Sequence, residues 1–161
     1  MTGTPNIFDF TSETVLMIGY GNPCRLDDGL GPALATRLDA LAIKGLFIET
    51  DYQLVVEHAY EIAKYDYAIF ADSAIGGKPP FSFTEIQKSD KQQQFSSHGL
   101  TPEAVMFIAR SMFGAKTKGY ILGIRGYEYE GFGEEFSNGA KKNLEAALSF
   151  VLGLCGLSDV P

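Results

Sequence analysis

Short apolar runs alternate with stretches of helical apolar spacing along nearly the whole chain. That rhythm restricts the fold more than any other feature. Val15–Ile18 is a continuous apolar run ending in a glycine-rich turn, which reads as a buried strand. Leu30–Leu41 follows with Leu30, Leu34, Leu38 and Leu41 on one helical face. Pro32 sits in its first turn, where a missing N–H costs nothing, and Gly45 is a stop signal. Leu46–Thr50 is a second strand, and Val55, Val56, Ala59, Ile62 and Ala63 mark a second helix. Tyr67–Ala71 is a third strand ending at Asp72, and Phe81–Ile86 alternates like a half-exposed fourth. Thr101-Pro102-Glu103 opens a helix to about Phe113, with a capping hydroxyl, a first-turn proline and an acid at the positive end. Gly119–Ile124 is a fifth strand. Asn138–Leu152 is the last helix, with Leu144, Ala147, Leu148 and Val151 inward. Alternating strands and helices predict one α/β domain over residues 1–161, its central sheet covered by helices on both faces. Met1–Glu13 reads as a polar, partly mobile lead-in, and Gln87–Ser97 as polar and irregular.

Composition narrows the function. A chain of 161 residues with 45% hydrophobic and 20% charged residues suits one folded core. The net charge is −7 and no basic stripe occurs, which speaks against a nucleic-acid partner. No apolar run approaches the roughly 20 residues of a membrane span. The N-terminus lacks a basic segment followed by an apolar one, so no signal peptide is expected. Cys24 and Cys155 form neither a CxxC pair nor a disulfide framework. A cytoplasmic location is the expectation.

In open α/β sheets, ligands gather beyond the carboxyl ends of the strands. Three polar segments belong there: Gly19–Gly29, Asp72-Ser73 and Ser96-Ser97-His98-Gly99. Gly19 and Gly21 suggest a dinucleotide turn, but Cys24 occupies the third glycine position. Asp27 and Asp28 would also compete with a pyrophosphate for the helix end. Asp28, Asp72 and His98 together offer two oxygens and a nitrogen, a set that suits a borderline divalent metal with open positions. The plainer reading stays open: a helix cap, a turn-fixing Asp and a surface histidine. His58, in the second helix, reads as structural or solvent-facing. Cys24 lacks a nearby histidine, and burial is the commoner fate of a lone cysteine. There is no GxSxG elbow. Tyr127–Phe136 reads as a surface connection and not as a site.

These motifs in their order resemble one family. Gly19-x-Gly21-Asn22-Pro23-x-x-x-Asp27-Asp28-Gly29-x-Gly31-Pro32 is similar to the N-terminal signature of the hydrogenase maturation endopeptidases. Ala71-Asp72 after an apolar strand resembles their second element, and Ser97-His98-x-Leu100-Thr101-Pro102-Glu103 their third. The likeness spans Val15 to Leu152. It implies a twisted sheet of about five strands flanked by helices. It also implies a metal site whose ligands and catalytic residues map to Asp28, Asp72 and His98, with Asp27 as a neighbouring carboxylate. No other cofactor-binding residue is expected, and a monomer is the expected state.

The resemblance further implies a substrate: the precursor of a nickel–iron hydrogenase large subunit, already loaded with nickel, whose C-terminal extension is removed. The three ligands would recognise nickel in that precursor or take another divalent metal. Many members carry an Asp-Gly-Gly-Thr type segment after the second strand. Glu49-Thr50-Asp51-Tyr52-Gln53-Leu54 stands there instead and resembles members serving cytoplasmic NAD-coupled or bidirectional hydrogenases. Two catalytic routes remain open at this point: the metal as Lewis acid or hydroxide source, or a carboxylate, Asp27 being available, as general base. Other functions compete: a non-cleaving, nickel-dependent checkpoint for the same precursor, a nucleotide-binding oxidoreductase on the Gly19–Gly21 turn, and a structural domain.

Overall fold

The computed structural model describes residues 7–89 and 99–157. Five strands, β1 (Val15–Tyr20), β2 (Leu46–Asp51), β3 (Tyr67–Ala74), β4 (Phe81–Glu85) and β5 (Lys118–Arg125), form one sheet in the order β2-β1-β3-β5-β4. β1, β2, β3 and β5 run parallel, and β4 pairs antiparallel on the β5 edge. The helices are α1 (Leu30–Asp39), α2 (Val56–Ile62), α3 (Pro102–Phe113) and α4 (Asn138–Leu154).

Side chains alternate across a strand, so each strand feeds two cores. Val15 and Met17 of β1, Ile69 and Ala71 of β3, and Leu122 and Ile124 of β5 face α1 and α4, meeting Leu30, Leu34, Leu144 and Leu148. Leu16 and Ile18, with Ala68 and Phe70, face the other way against Ala59 and Ile62 of α2 and Val105, Met106 and Ala109 of α3. The expected architecture is therefore the observed one. Burying each such leucine, isoleucine or phenylalanine contributes on the order of 2 kcal/mol.

Four local expectations need correction. β3 continues to Ala74, so Asp72 lies within the strand and not after it, because β5 pairs alongside through Ala74↔Arg125. α1 stops at Asp39, and a short 3-10 turn over Leu26–Gly29 precedes it. The lead-in is not polar throughout: Phe8 is 3% exposed and packs its ring against Tyr67 and Tyr120. Cys24 is exposed, not buried. The free thiols Cys24 and Cys155 agree with the absence of a disulfide framework. Among the described residues, no helix is long and apolar enough to cross a membrane.

Candidate active site

The chain leaves β1 toward β2 on one side and β3 on the other, so the β1/β3 boundary is where strand order reverses. Ligands in such sheets bind beyond the carboxyl ends at this boundary. Tyr20 ends β1, and Asp72 stands one rung past the Gly19↔Ala71 pair. Both point to the α2/α3 face, following Ile18 and Phe70, and the Tyr20 hydroxyl lies beside the Asp72 carboxylate. Ser73 N–H donates to Asp72 Oδ1 at 2.8 Å. Asp28 arrives from the loop between β1 and α1, and its Oδ2 accepts the Asn22 N–H at 2.8 Å. Among the described residues Oδ1 of Asp28 accepts no hydrogen bond.

Glycines permit this convergence. A Cβ on Gly31, at the start of α1, would collide with the carbonyl oxygens of Ala71 and Tyr20, and one on Gly21 with the carbonyl of Asp28. The helix start therefore sits directly on the strand ends. Burial pushes the Asp72 carboxyl up to about 7; the Ser73 N–H and the Tyr20 hydroxyl work against this, and the charge of Asp28 adds to it. Two acidic groups in mutual repulsion, one with an oxygen that accepts no bond among the described residues, form a donor set suited to a cation. Burial, and then the charge of Asp72, raise the Tyr20 phenol far above its ordinary value, keeping it a donor.

Asp27, its neighbour, does something else. It is 0% exposed. Its Oδ2 accepts the N–H groups of Tyr127 and Glu128 at 2.8 and 3.0 Å and the Ser137 hydroxyl at 2.6 Å, while Oδ1 accepts the Ser137 N–H at 2.9 Å. Burial opposes its charge, yet these bonds outweigh burial and hold the carboxyl below its ordinary value. Both oxygens accept hydrogen bonds from the protein and the side chain is shut off from solvent, so Asp27 is a clamp.

What Asp27 clamps is the segment from Tyr127 to Ser137. The same segment exchanges Leu26 N–H to Gly133 O at 2.9 Å and Gly133 N–H to Cys24 O at 2.8 Å. The segment is largely exposed, as expected of a surface connection, and these bonds fasten it to the loop that carries Asp27 and Asp28. The segment also carries Tyr129, whose hydroxyl is buried without a hydrogen-bond partner among the described residues.

His58 is buried and structural, as one of the two expected readings had it. Its Nδ1 accepts the Val55 N–H at 3.0 Å, and its Nε2 lies 3.5 Å from Asp51 Oδ2. Asp51, Thr50 and Tyr52 line a cavity of about 320 Å³ together with Gly21, Pro23 and Pro32, beside the Asp28 loop. A larger hollow of about 440 Å³ lies at the opposite end of the strands, around Glu13, Asp66 and Thr117, away from the converging carboxylates. His98 lies outside the described residues. The chain resumes at Gly99, beside the Gln53 side chain and the Leu54 carbonyl, and Thr101 caps α3 by accepting the Ala104 N–H. Glu103, in the first turn of α3, is near enough for its charge to act on Tyr20. Among the described residues no three His, Cys, Asp or Glu side chains form a metal-ligand group.

No family model and no curated protein sequence matches the chain. Solved structures do. A [NiFe] hydrogenase maturation protease, HycI from Thermococcus kodakarensis, is 21% identical with a TM-score of 0.68, over 91% of this chain and 96% of that one. The hydrogenase maturating endopeptidase HybD from E. coli is 19% identical with a TM-score of 0.68, over 86% and 90%. A hydrogenase 2 maturation peptidase from a Thaumarchaeota archaeon is 20% identical with a TM-score of 0.63, over 90% and 99%. The chain therefore has the fold of the hydrogenase maturation proteases.

Proposed function

We propose that this protein is a cytoplasmic endopeptidase that removes the C-terminal extension from a nickel-loaded precursor of a nickel–iron hydrogenase large subunit, of the NAD-coupled or bidirectional type. The observation that carries the reading is the meeting of Asp28 and Asp72 at the β1/β3 boundary, with one Asp28 oxygen that accepts no bond among the described residues. His98 supplies the third donor. In this reading nickel is cargo of the substrate: two carboxylate oxygens and an imidazole complete its coordination, so only a loaded precursor is held for cleavage. Because Asp27 clamps the Tyr127–Ser137 segment, polarising the scissile carbonyl falls to the metal. The protein acts as a monomer.

Incubating a nickel-loaded precursor with wild type and with His98→Ala, and following its mass, tests this. Release of a C-terminal peptide by wild type alone supports the proposal. An unshortened precursor across several nickel-loaded candidates overturns it in favour of a non-cleaving checkpoint.

A further inference from the structure

Beyond Asp28, Asp72 and His98, two hydroxyls meet at the same strand end. Ser73 pairs across the sheet with Ile124, and Ile124 lies in the core on the α1/α4 side. Ser73 therefore points to the face from which the Asp28 loop descends, opposite to Asp72. It is half-buried. Beside it stands the Tyr129 hydroxyl, fully shielded from water and without a hydrogen-bond partner among the described residues. The two hydroxyls are neighbours, close enough for Ser73 to act on the phenol.

The tyrosine is held there by packing. A Cβ on Gly126 would come within 2.5 Å of the Tyr129 oxygen and 2.9 Å of Asp27 Cβ, so only glycine admits the ring. The segment carrying it is fastened by the Asp27 clamp on one side and by Gly133 on the other. A buried hydroxyl left unpaired costs free energy. Burial keeps the phenol protonated, and the charges of Asp27, Asp72 and Asp28 add to this while Ser73 works against it. Tyr129 is thus a donor with Ser73 Oγ beside it.

We propose that Ser73 is a catalytic residue and Tyr129 its positioning residue. The Tyr129 O–H donates to Ser73 Oγ, which turns the Ser73 O–H outward to donate to the carbonyl oxygen of the scissile peptide. No proton is transferred: both hydroxyls stay intact, and the pair stabilises negative charge as it develops on that oxygen. A hydrogen bond received by Ser73 strengthens the one it gives. This inference rests on the endopeptidase reading.

The test is a double-mutant cycle with the nickel-loaded precursor, using Ser73→Ala, Tyr129→Phe and both together. Ser73→Ala should lower kcat about 100-fold at unchanged KM. Tyr129→Phe should lower kcat about tenfold at unchanged KM. The double variant should match Ser73→Ala, since Tyr129 acts only through it. Wild-type kcat in Ser73→Ala, or losses that multiply in the double variant, would overturn the proposal. A wild-type protein that leaves every precursor uncut would instead defeat the endopeptidase reading.

Discussion

Asp27 and Ser137 are joined twice, through the Ser137 N–H to Oδ1 at 2.9 Å and the Ser137 hydroxyl to Oδ2 at 2.6 Å. The same hydroxyl accepts the Ala140 N–H at 3.3 Å and so caps α4. One carboxylate thereby ties the turn before α1 to the start of the last helix. Asp27→Asn places an amide N–H against donors, and should destabilise the protein by about 3 kcal/mol in urea unfolding at neutral pH. Cleavage should persist wherever that variant remains folded, because the residue is not the base.

The clamp also has an acid limb. The folded carboxyl titrates below its ordinary value of 3.8, so the unfolded chain takes up the proton first. Its contribution is fully present above 3.8 and is lost as pH falls through the lower folded value. Unfolding curves at stepped pH should therefore converge for wild type and Asp27→Asn in strong acid. A constant gap between them would contradict the assignment.

Gly31→Ala pushes a methyl group into the carbonyl oxygens of Ala71 and Tyr20, which are backbone and cannot rotate away. The start of α1 must lift off the strand ends. A loss of about 2–3 kcal/mol is expected, or roughly 5–10 °C in Tm by calorimetry. Asp28 moves with the helix, so cleavage should fall further than stability alone accounts for.

The two thiols should separate cleanly. Cys24 is exposed, whereas burial pushes Cys155 up to about 11. Iodoacetamide at mildly alkaline pH should label Cys24 first, and Cys155 at least about tenfold more slowly, its rate climbing with pH toward that value. Peptide mass spectrometry reads both sites, and equal rates would refute the burial of Cys155.

Thr101→Ala removes the acceptor for the Ala104 N–H at 3.1 Å and should cost about 1 kcal/mol, with Thr101→Ser restoring most of it. Thermal melts of the three proteins decide the matter.

Elements that depend on local pattern were legible. β1, α3 and α4 lie where apolar spacing and capping residues put them, with α3 starting at Pro102 after its Thr101 cap. Features that depend on distant partners were not. Asp72 looks like a strand terminator, yet pairing with β5 carries the strand two residues on. Phe8 sits in a polar stretch, and its burial needs Tyr67 and Tyr120. Asp27 and Asp28 are chemically identical neighbours. The N–H groups of Tyr127, Glu128 and Ser137 make one a clamp, while among the described residues the side chain of the other accepts a bond at Oδ2 alone. Asp28 and Asp72 could be nominated from their place at strand ends and from a family likeness, whereas Ser73 and Tyr129 required the Tyr127–Ser137 segment to be seen in place.

The bond between Asp27 and Ser137 spans 110 residues, and α1 and α4 share one core. A chain still emerging from the ribosome can finish the α2/α3 side of its sheet but not the other, which waits for its last helix. Until Ser137 arrives, the Asp27 carboxylate lacks two of the four donors that fasten the segment. Competence at this site therefore waits until Ser137 and α4 have been made.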